Sequence, residues 1–571
     1  MDNRAIARHL RMMANLYEVA DARHPLAQQY RALSNEIRTL PYALKDQLDS
    51  FHVHAKLPQE LFNSLHKLIH SGAKIAFLGL PTGVPPTLRA VFALPEINPN
   101  VVRKWYSEYG ITSLADLKAA LQSGRLSDAH GLPSRVWNTL LMEVEKLERQ
   151  ISLVPLAIGQ PFGRGWQEHL LTYPGVMRVE FTGELRRQLP LTTSVELLVA
   201  VTDRSRESVM QELLREGFTQ RNARLDATMV ELRMQSEVDD RVIPVCLYVT
   251  TVEDFYPCWV MTSGDEEHRN YLGVTDTDAW IASLRQARPT TEVDVYKASS
   301  RAYIEPELRE RGSLRKDSRR FVTYAALQGD LHMHTTYSDG AGSLEEMVRG
   351  CIARGYQYMA ITDHSKSEIV ANGLSEDRLA RQHEEVLRLR EKYPEIVILH
   401  GTEVDIMPDA TLDFHDDTLA DLDLVVASIH TSLFIAKKEQ TARILAAIES
   451  PHVDIVAHPT GRMLGRRDSY ALDWDAIFAA AAAHHIALEL NSNPNRLDLD
   501  PKVLRLALDA GCLFAIGSDA HSVNDLERIY LFGVTQARRA WLPTERVINA
   551  WNWETLSDWL SHQPNASTLS S

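Results

Sequence analysis

Gly329-Asp330-Leu331-His332-Met333-His334-Thr335-Thr336-Tyr337-Ser338-Asp339 places two histidines two residues apart on a short apolar run. Alternate side chains of a strand share a face, so His332 and His334 can reach one metal ion together, with Asp339 just past the strand end. A His-x-His pair alone equally fits a solvated strand face. Its weight comes from repetition, because the same kind of strand end recurs through the rest of the chain.

From 329 onward the rhythm is strand, loop, helix. The spacing predicts strands over Gly329–Thr335, Tyr358–Thr362, Val397–Glu403, Leu422–Ile429, Val453–Ala457, Ile486–Asn491 and Leu513–Gly517. Amphipathic helices such as Leu344–Arg354 and Asp377–Lys392 lie between them. That is the pattern of parallel strands with crossover helices. Seven strands over some 240 residues suggest a barrel near the eight-strand type. An open doubly wound sheet is the alternative, but no Gly-x-Gly-x-x-Gly follows a strand to support nucleotide binding there.

Six of these segments end in potential ligands: His332, His334 and Asp339; His364; Glu403; His430; His458; Asp519 and His521. The C-terminal ends of parallel strands converge on one face of a barrel, so six histidines and three carboxylates should meet there. A single histidine after a strand is more often a surface or capping residue. Six such strand ends together are not explained that way. Imidazole and carboxylate without thiolate suit zinc, manganese or iron. Nine ligands exceed the need of one ion, so two or three ions are expected, with Glu403 placed to bridge. Asp363 and Asp405 are expected only to support the ligands. Such a cluster suits phosphate-ester hydrolysis. Arg462 and Arg496 are the candidates for holding the phosphate, although an exposed structural arginine is an equal reading of each.

The chain has 571 residues, a formal net charge of −15 and four scattered cysteines, Cys246, Cys258, Cys351 and Cys512. The length calls for several domains. The charge argues against a wholly basic surface, though not against a local basic groove. No disulfide framework or thiolate zinc site is implied, and a reducing, cytoplasmic setting is expected, with nucleoid association not excluded. No run of about 18 apolar residues suggests a membrane span. Residues 1–150 read as helices, over Asn3–Ala20 and about 25–50, 58–71, 98–109, 113–122 and 133–150. Residues 151–300 mix strands and helices, and 301–328 read as a charged connection.

His332-Met333-His334, Thr362-Asp363-His364-Ser365, His458-Pro459-Thr460-Gly461-Arg462 and Ser518-Asp519-Ala520-His521 resemble the motifs of the PHP (polymerase and histidinol phosphatase) domain. The resemblance implies a distorted seven-stranded β/α barrel over 329–571 with a trinuclear site. His332, His334, Glu403 and Asp519 would hold one ion; Glu403, His430 and His458 a second; Asp339, His364 and His521 a third. The domain order resembles the bacterial family X DNA polymerases: an all-α helix-hairpin-helix region, an α+β nucleotidyltransferase-like palm, then the PHP barrel. Gly183-Glu184-Leu185-Arg186-Arg187 and Thr262-Ser263-Gly264 are among the supporting fragments. That resemblance implies a 3′–5′ exonuclease on single-stranded DNA or 3′ ends, often also acting at abasic sites, usually with Mn²⁺.

The palm departs from the family pattern. Where the family has two metal-binding aspartates and a third on a later strand, this chain has Ser194, Glu196 and, by alignment, Cys246. Two hard magnesium ions need paired carboxylates, so polymerase activity is expected to be absent. Of the two glycines that let a hairpin turn's backbone approach a phosphate, Pro95-Glu96-Ile97-Asn98-Pro99 has neither and His130-Gly131-Leu132-Pro133 keeps only one. Residues 1–300 are thus expected to be a scaffold or a weak DNA guide. Two alternatives to the exonuclease remain: a small-molecule phosphomonoesterase of the histidinol-phosphatase type, and a non-catalytic DNA-end or partner-binding adaptor. The intact ligand set speaks against the adaptor.

Overall fold

A computed structural model describes residues 3–38, 40, 44, 47–55, 61–62, 65–66, 81–94, 97–126, 134–220, 229–238, 241–314 and 320–562. The helix Asn3–Ala20 buries Ile6, Leu10, Met13 and Leu16, the stripe expected at helical spacing. It packs on Pro25–Arg38 and Pro99–Tyr109. The single helix expected over 25–50 is instead two, Pro25–Arg38 and Leu48–Ala55. Pro41 stands between them, and proline cannot sit in a helix interior without removing a hydrogen bond. Most of the helix expected over 58–71, and the turn at 130–133, lie outside the described residues. Of the other turn, Asn98 is described. Its side chain caps the following helix, accepting from the N–H groups of Asn100 and Val101 at 3.1 and 3.2 Å. Those two N–H groups at the helix start are therefore already engaged.

The middle region is a five-stranded sheet of β1 (Val176–Phe181), β2 (Val195–Val201), β3 (Thr219–Gln220), β4 (Met229–Val238) and β5 (Arg241–Thr251), in the order β1-β2-β5-β4-β3. Only β2 and β5 run parallel. The charged segment beyond residue 300 is not a loose connection where it is described. Leu308 and Arg309 are fully buried, and Arg309 pairs with Glu292 at 2.7 Å. Of the basic cluster there, Arg315, Lys316 and Arg319 lie outside the described residues.

The C-terminal sheet has seven parallel strands in sequential order: β6 (Gly329–Asp330), β7 (Tyr358–Ile361), β8 (Val397–Asp405), β9 (Leu424–Ser428), β10 (Ile455–Val456), β11 (Ala487–Asn491) and β12 (Leu513–Gly517). A bridge between Met333 and Ala520 joins the extensions of the first and last strands, nearly closing the ring. β6 and β10 are two residues long, shorter than expected, because the backbone leaves the ladder where it begins to position ligands. Small and branched side chains, among them Ala360, Leu399, Val426, Ala487 and Ala515, fill the interior. Strand alternation continues these inward columns to the rim. Ala360 leads to Thr362 and His364, Leu399 to Gly401 and Glu403, Val426 to Ser428 and His430, Ala515 to Gly517 and Asp519. Apolar filling thus gives way to ligand-type side chains at one end. Leu464, Leu497 and Phe532 of this barrel pack into the core of the middle region, and Arg539 reaches Glu310 at 2.6 Å. Among the described residues, no helix is long and apolar enough to cross a membrane.

Candidate metal centre

Glu403 lies at the middle of the rim, its side chain essentially buried. Its carboxylate faces five imidazoles: His458 Nε2 at 2.9 Å, His364 Nδ1 at 3.0 Å, His332 Nε2 at 3.4 Å, and His334 and His430 Nε2 each at 3.5 Å. Asp519 approaches His334 at 3.4 Å and His521 at 3.7 Å. Asp339 approaches His521 at 3.3 Å and His364 at 3.7 Å. All nine candidate ligands therefore come together. Those at the base, His332, His334, Glu403 and His458, are buried, whereas His521 and Asp339 keep about 30% side-chain exposure at the mouth (32% and 29%).

Two backbone features aim these groups. The N–H of His334 donates to the Ala520 carbonyl at 2.8 Å, and that of Asp519 to the His332 carbonyl at 3.0 Å, which stitches the first strand end to the last. His458 and Asp519 have φ of 29° and 51°, left-handed values that few non-glycine residues adopt and that cluster at functional sites.

The donor set fits divalent cations. His332 Nε2, both nitrogens of His334, His364 Nδ1 and His458 Nδ1 are buried without a hydrogen-bond partner. Such atoms are costly unless something else engages them. Compact groups suited to an ion are His334, Asp339, His364 and His521; His332, His334 and Asp519; and His364, Glu403 and His430. These overlap the three sets implied by the family resemblance, with His334 and His364 each shared more widely. A fourth group, Glu368, Asp405 and His430, was not expected from the sequence.

The charges interlock. Burial acts to raise the Glu403 carboxyl, but His364, His430 and His332 hold it well below the usual carboxylate range. Asp519 is likewise held low, by His334 and His521 against the effect of burial. Asp339 is lowered to about 2, its burial outweighed by His521. Burial, with the neighbouring charges of His364 and His521, lowers His334 to about 3. His334 is therefore neutral at physiological pH, as a ligand must be.

The supporting carboxylates explain the aim of the ligands. Asp363 accepts from the Thr335 N–H at 2.8 Å and from Gln382 at 2.5 Å, which holds the loop leading to Asp339. Asp405 faces His430 Nδ1 at 3.1 Å. Sequence reasoning missed Glu489. Its two oxygens face His332 Nδ1 at 2.7 Å and accept the His458 N–H at 2.8 Å. The available signal was parity, since Glu489 continues the inward column of β11. A carboxylate behind a metal-binding histidine fixes its tautomer and orientation. Glu489→Gln is therefore expected to weaken metal affinity roughly 10–100-fold while leaving the fold intact. A metal titration of activity checks this: excess Mn²⁺ should restore the rate.

Of the two arginines expected at the phosphate, the structure places one at the cleft. Arg496 lines it together with Arg467 and Asn493, in a space of about 300 Å³. Arg462 does not line it. Its guanidinium donates to the Arg496 carbonyl at 2.8 Å and to the Leu497 carbonyl, and faces Asp500 at 3.4 Å. It braces the 496–500 loop, and Arg467 takes its place at the rim.

The palm is arranged differently. The β2–β5 register sets Glu196 opposite Cys246. Glu196 Oε2 accepts the Glu184 N–H at 3.1 Å, and Tyr248 donates to Oε1 at 3.4 Å. Burial raises the Glu196 carboxyl and raises the Cys246 thiol, which donates to Glu231 at 3.4 Å. Ser194 is buried. Among the described residues, no metal-suited group forms here. Gly183 has φ of 59°, and a Cβ there would fall 1.4 Å from Glu196 Oε2. Gly183→Ala should lower stability by about 1–3 kcal/mol without altering hydrolysis at the barrel, as read by urea denaturation beside an activity assay.

A seven-stranded parallel barrel whose rim gathers histidines and carboxylates defines a PHP-type metal-dependent hydrolase, and the PHP domain family model matches residues 330–493. The chain as a whole belongs to the family of the DNA polymerase/3′-5′ exonuclease PolX. The relative of that name from Bacillus subtilis (strain 168) is 32% identical over 505 residues, covering 86% of this chain and 87% of the relative. The chain is also similar to the probable phosphatase YcdX of Escherichia coli (strain K12), 32% identical over 207 residues, or 34% of this chain and 78% of that one. Among solved structures, histidinol phosphate phosphatase from Lactococcus lactis aligns with 38% of this chain and 92% of its own, at 18% identity and a TM-score of 0.29. Leishmania infantum polymerase beta aligns with 40% of this chain and 100% of its own, at 12% identity and a TM-score of 0.23.

Proposed function

We propose that the barrel, residues 329–571, is a 3′–5′ exonuclease acting on single-stranded or 3′-ended DNA in repair, with abasic sites as a further substrate. Residues 1–150 and 151–300 would be its helical and palm-like body and 301–328 the connection. The observation that carries the reading is the nine-ligand cluster around Glu403 in a chain that aligns with an exonuclease of this name over most of its length. His332, His334, Asp339, His364, Glu403, His430, His458, Asp519 and His521 would hold two or three Mn²⁺ or Zn²⁺ ions, iron also suiting these ligands. Bound there, such ions supply hydroxide near neutral pH and neutralise charge on the phosphate.

The chain's own groups do the rest. Arg496 and Arg467 seat the anionic phosphate at the mouth. Glu489, Asp405 and Asp363 keep the imidazoles and the 335–339 loop in place. His521 and Asp339, at the exposed edge, are the ligands nearest incoming substrate. The similarity of about a third of the chain to a probable phosphatase supports a second reading, hydrolysis of a small phosphomonoester.

The test is Mn²⁺-dependent release of nucleotides from a 3′-ended or single-stranded oligonucleotide, run beside a small phosphomonoester. Turnover of the monoester with no nucleotide release would sink the exonuclease reading.

A further inference from the structure

We propose that exposed apolar residues on two loops of the barrel rim, Ile369, Val370 and Phe434, form a platform that seats the unpaired terminal bases of a single-stranded nucleic acid. This rests on the nuclease reading and names how that site would hold its substrate. Ile369, Val370 and Phe434 are 84%, 67% and 76% exposed, unusual values for large apolar side chains. All three follow strand ends that carry candidate ligands. Ile369 and Val370 come five and six residues after His364, and Phe434 four after His430. Val370 itself lines the cleft beside Glu368 and Ala371.

The loops are braced. Buried Arg443 donates to the carbonyls of Thr431 and Ser432 at 3.1 and 3.3 Å, just before Phe434. Ser367 donates its N–H to Asp413 at 2.7 Å, and the Leu374 N–H donates to the His364 carbonyl at 2.7 Å. Their backbones therefore hold these side chains out in water.

What covers such a surface must match it chemically. The cleft at its centre presents Arg467 and Arg496 to an anion among the carboxylates and histidines of the candidate metal site, and the apolar side chain of Val370 lines its edge. A single strand offers that alternation, with anionic phosphates and bases that have apolar faces. A small phosphomonoester would need nothing outside the cleft. A protein seated on the rim would close the cleft that the substrate must enter.

The experiment uses the full-length chain with Mn²⁺, a single-stranded oligonucleotide and bis(p-nitrophenyl) phosphate. Phe434→Ala and Ile369→Ser should raise KM for the oligonucleotide about tenfold or more, as loss of a base-stacking contact does, and leave kcat and diester hydrolysis unchanged. Phe434→Trp should restore the wild-type KM. An unchanged KM in both variants overturns the platform and leaves the nuclease standing. Equal losses on both substrates overturn it too, since a damaged centre would then be the cause. Wild-type protein that cleaves the diester but no oligonucleotide overturns the nuclease reading itself.

Discussion

Glu403→Gln lowers phosphoester hydrolysis by about 10³-fold or more and strips metal from the protein. The reason is the position of this one carboxylate. Five imidazole nitrogens lie within 3.5 Å of its two oxygens, so no other side chain can take its place. Glutamine has nearly the same shape, but it removes the negative charge and turns an amide N–H₂ toward nitrogens that must stay free for ligation. Metal centres contribute several kcal/mol of charge stabilisation to the transition state, and about 4 kcal/mol corresponds to the 10³-fold loss. The measurements are initial rates on oligonucleotide and small ester, metal content by mass spectrometry after gel filtration, and circular dichroism to establish folding. A folded variant that keeps its metal and its rate would refute the assignment of Glu403 as a ligand.

How far the sequence carried this site follows from physical periodicity. His364, Glu403, His430 and Asp519 were legible because each lies on an inward column of a parallel strand, one or two steps past the last apolar residue. His332 and His334 were legible as a pair, but β6 itself was overestimated. A two-residue ladder followed by an irregular extension looks in sequence like one longer strand. Glu489 was missed because it precedes the strand end by two residues, where an apolar residue was expected. Nothing local shows that His332 and His458 stand beside it. Arg462 was misplaced for a related reason. A positive side chain just past a ligand suggests a phosphate contact, but whether its guanidinium faces the cleft or the Leu497 carbonyl depends on a loop some 35 residues away. In the helical region, the division of the 25–50 stretch into Pro25–Arg38 and Leu48–Ala55 was legible in Pro41, which a helix interior does not accommodate, and the single expected span passed over it.

The second large effect is an absence: the protein adds no nucleotides to a primed template. The test is best made in the Glu403→Gln background, where the primer is spared from degradation and even slow extension would show. Template, primer, all four dNTPs and Mg²⁺ or Mn²⁺ should give extension indistinguishable from a control without protein. Two hard divalent ions on a triphosphate require paired carboxylates held toward the cleft. Here the palm cleft is lined by Glu184, Glu196 and Asp265, and each is engaged within the protein. Asp265 accepts the His268 N–H at 3.0 Å and the Arg311 N–H at 2.6 Å. Glu184 accepts from the Thr193 N–H at 2.6 Å and its hydroxyl at 2.9 Å. Glu196 is folded onto the Glu184 N–H, and its burial disfavours the charge that a metal would need. Across the sheet its partner is the thiol of Cys246, itself pushed toward the protonated form. Gly183 records how settled this arrangement is, since it leaves room for the Glu196 carboxylate where any other side chain would collide. Template-directed extension in this background would mean that the palm recruits metal by groups other than these and is itself a catalytic centre. If extension is absent, the body still serves the barrel structurally, since Leu464, Leu497 and Phe532 of the barrel pack into its core.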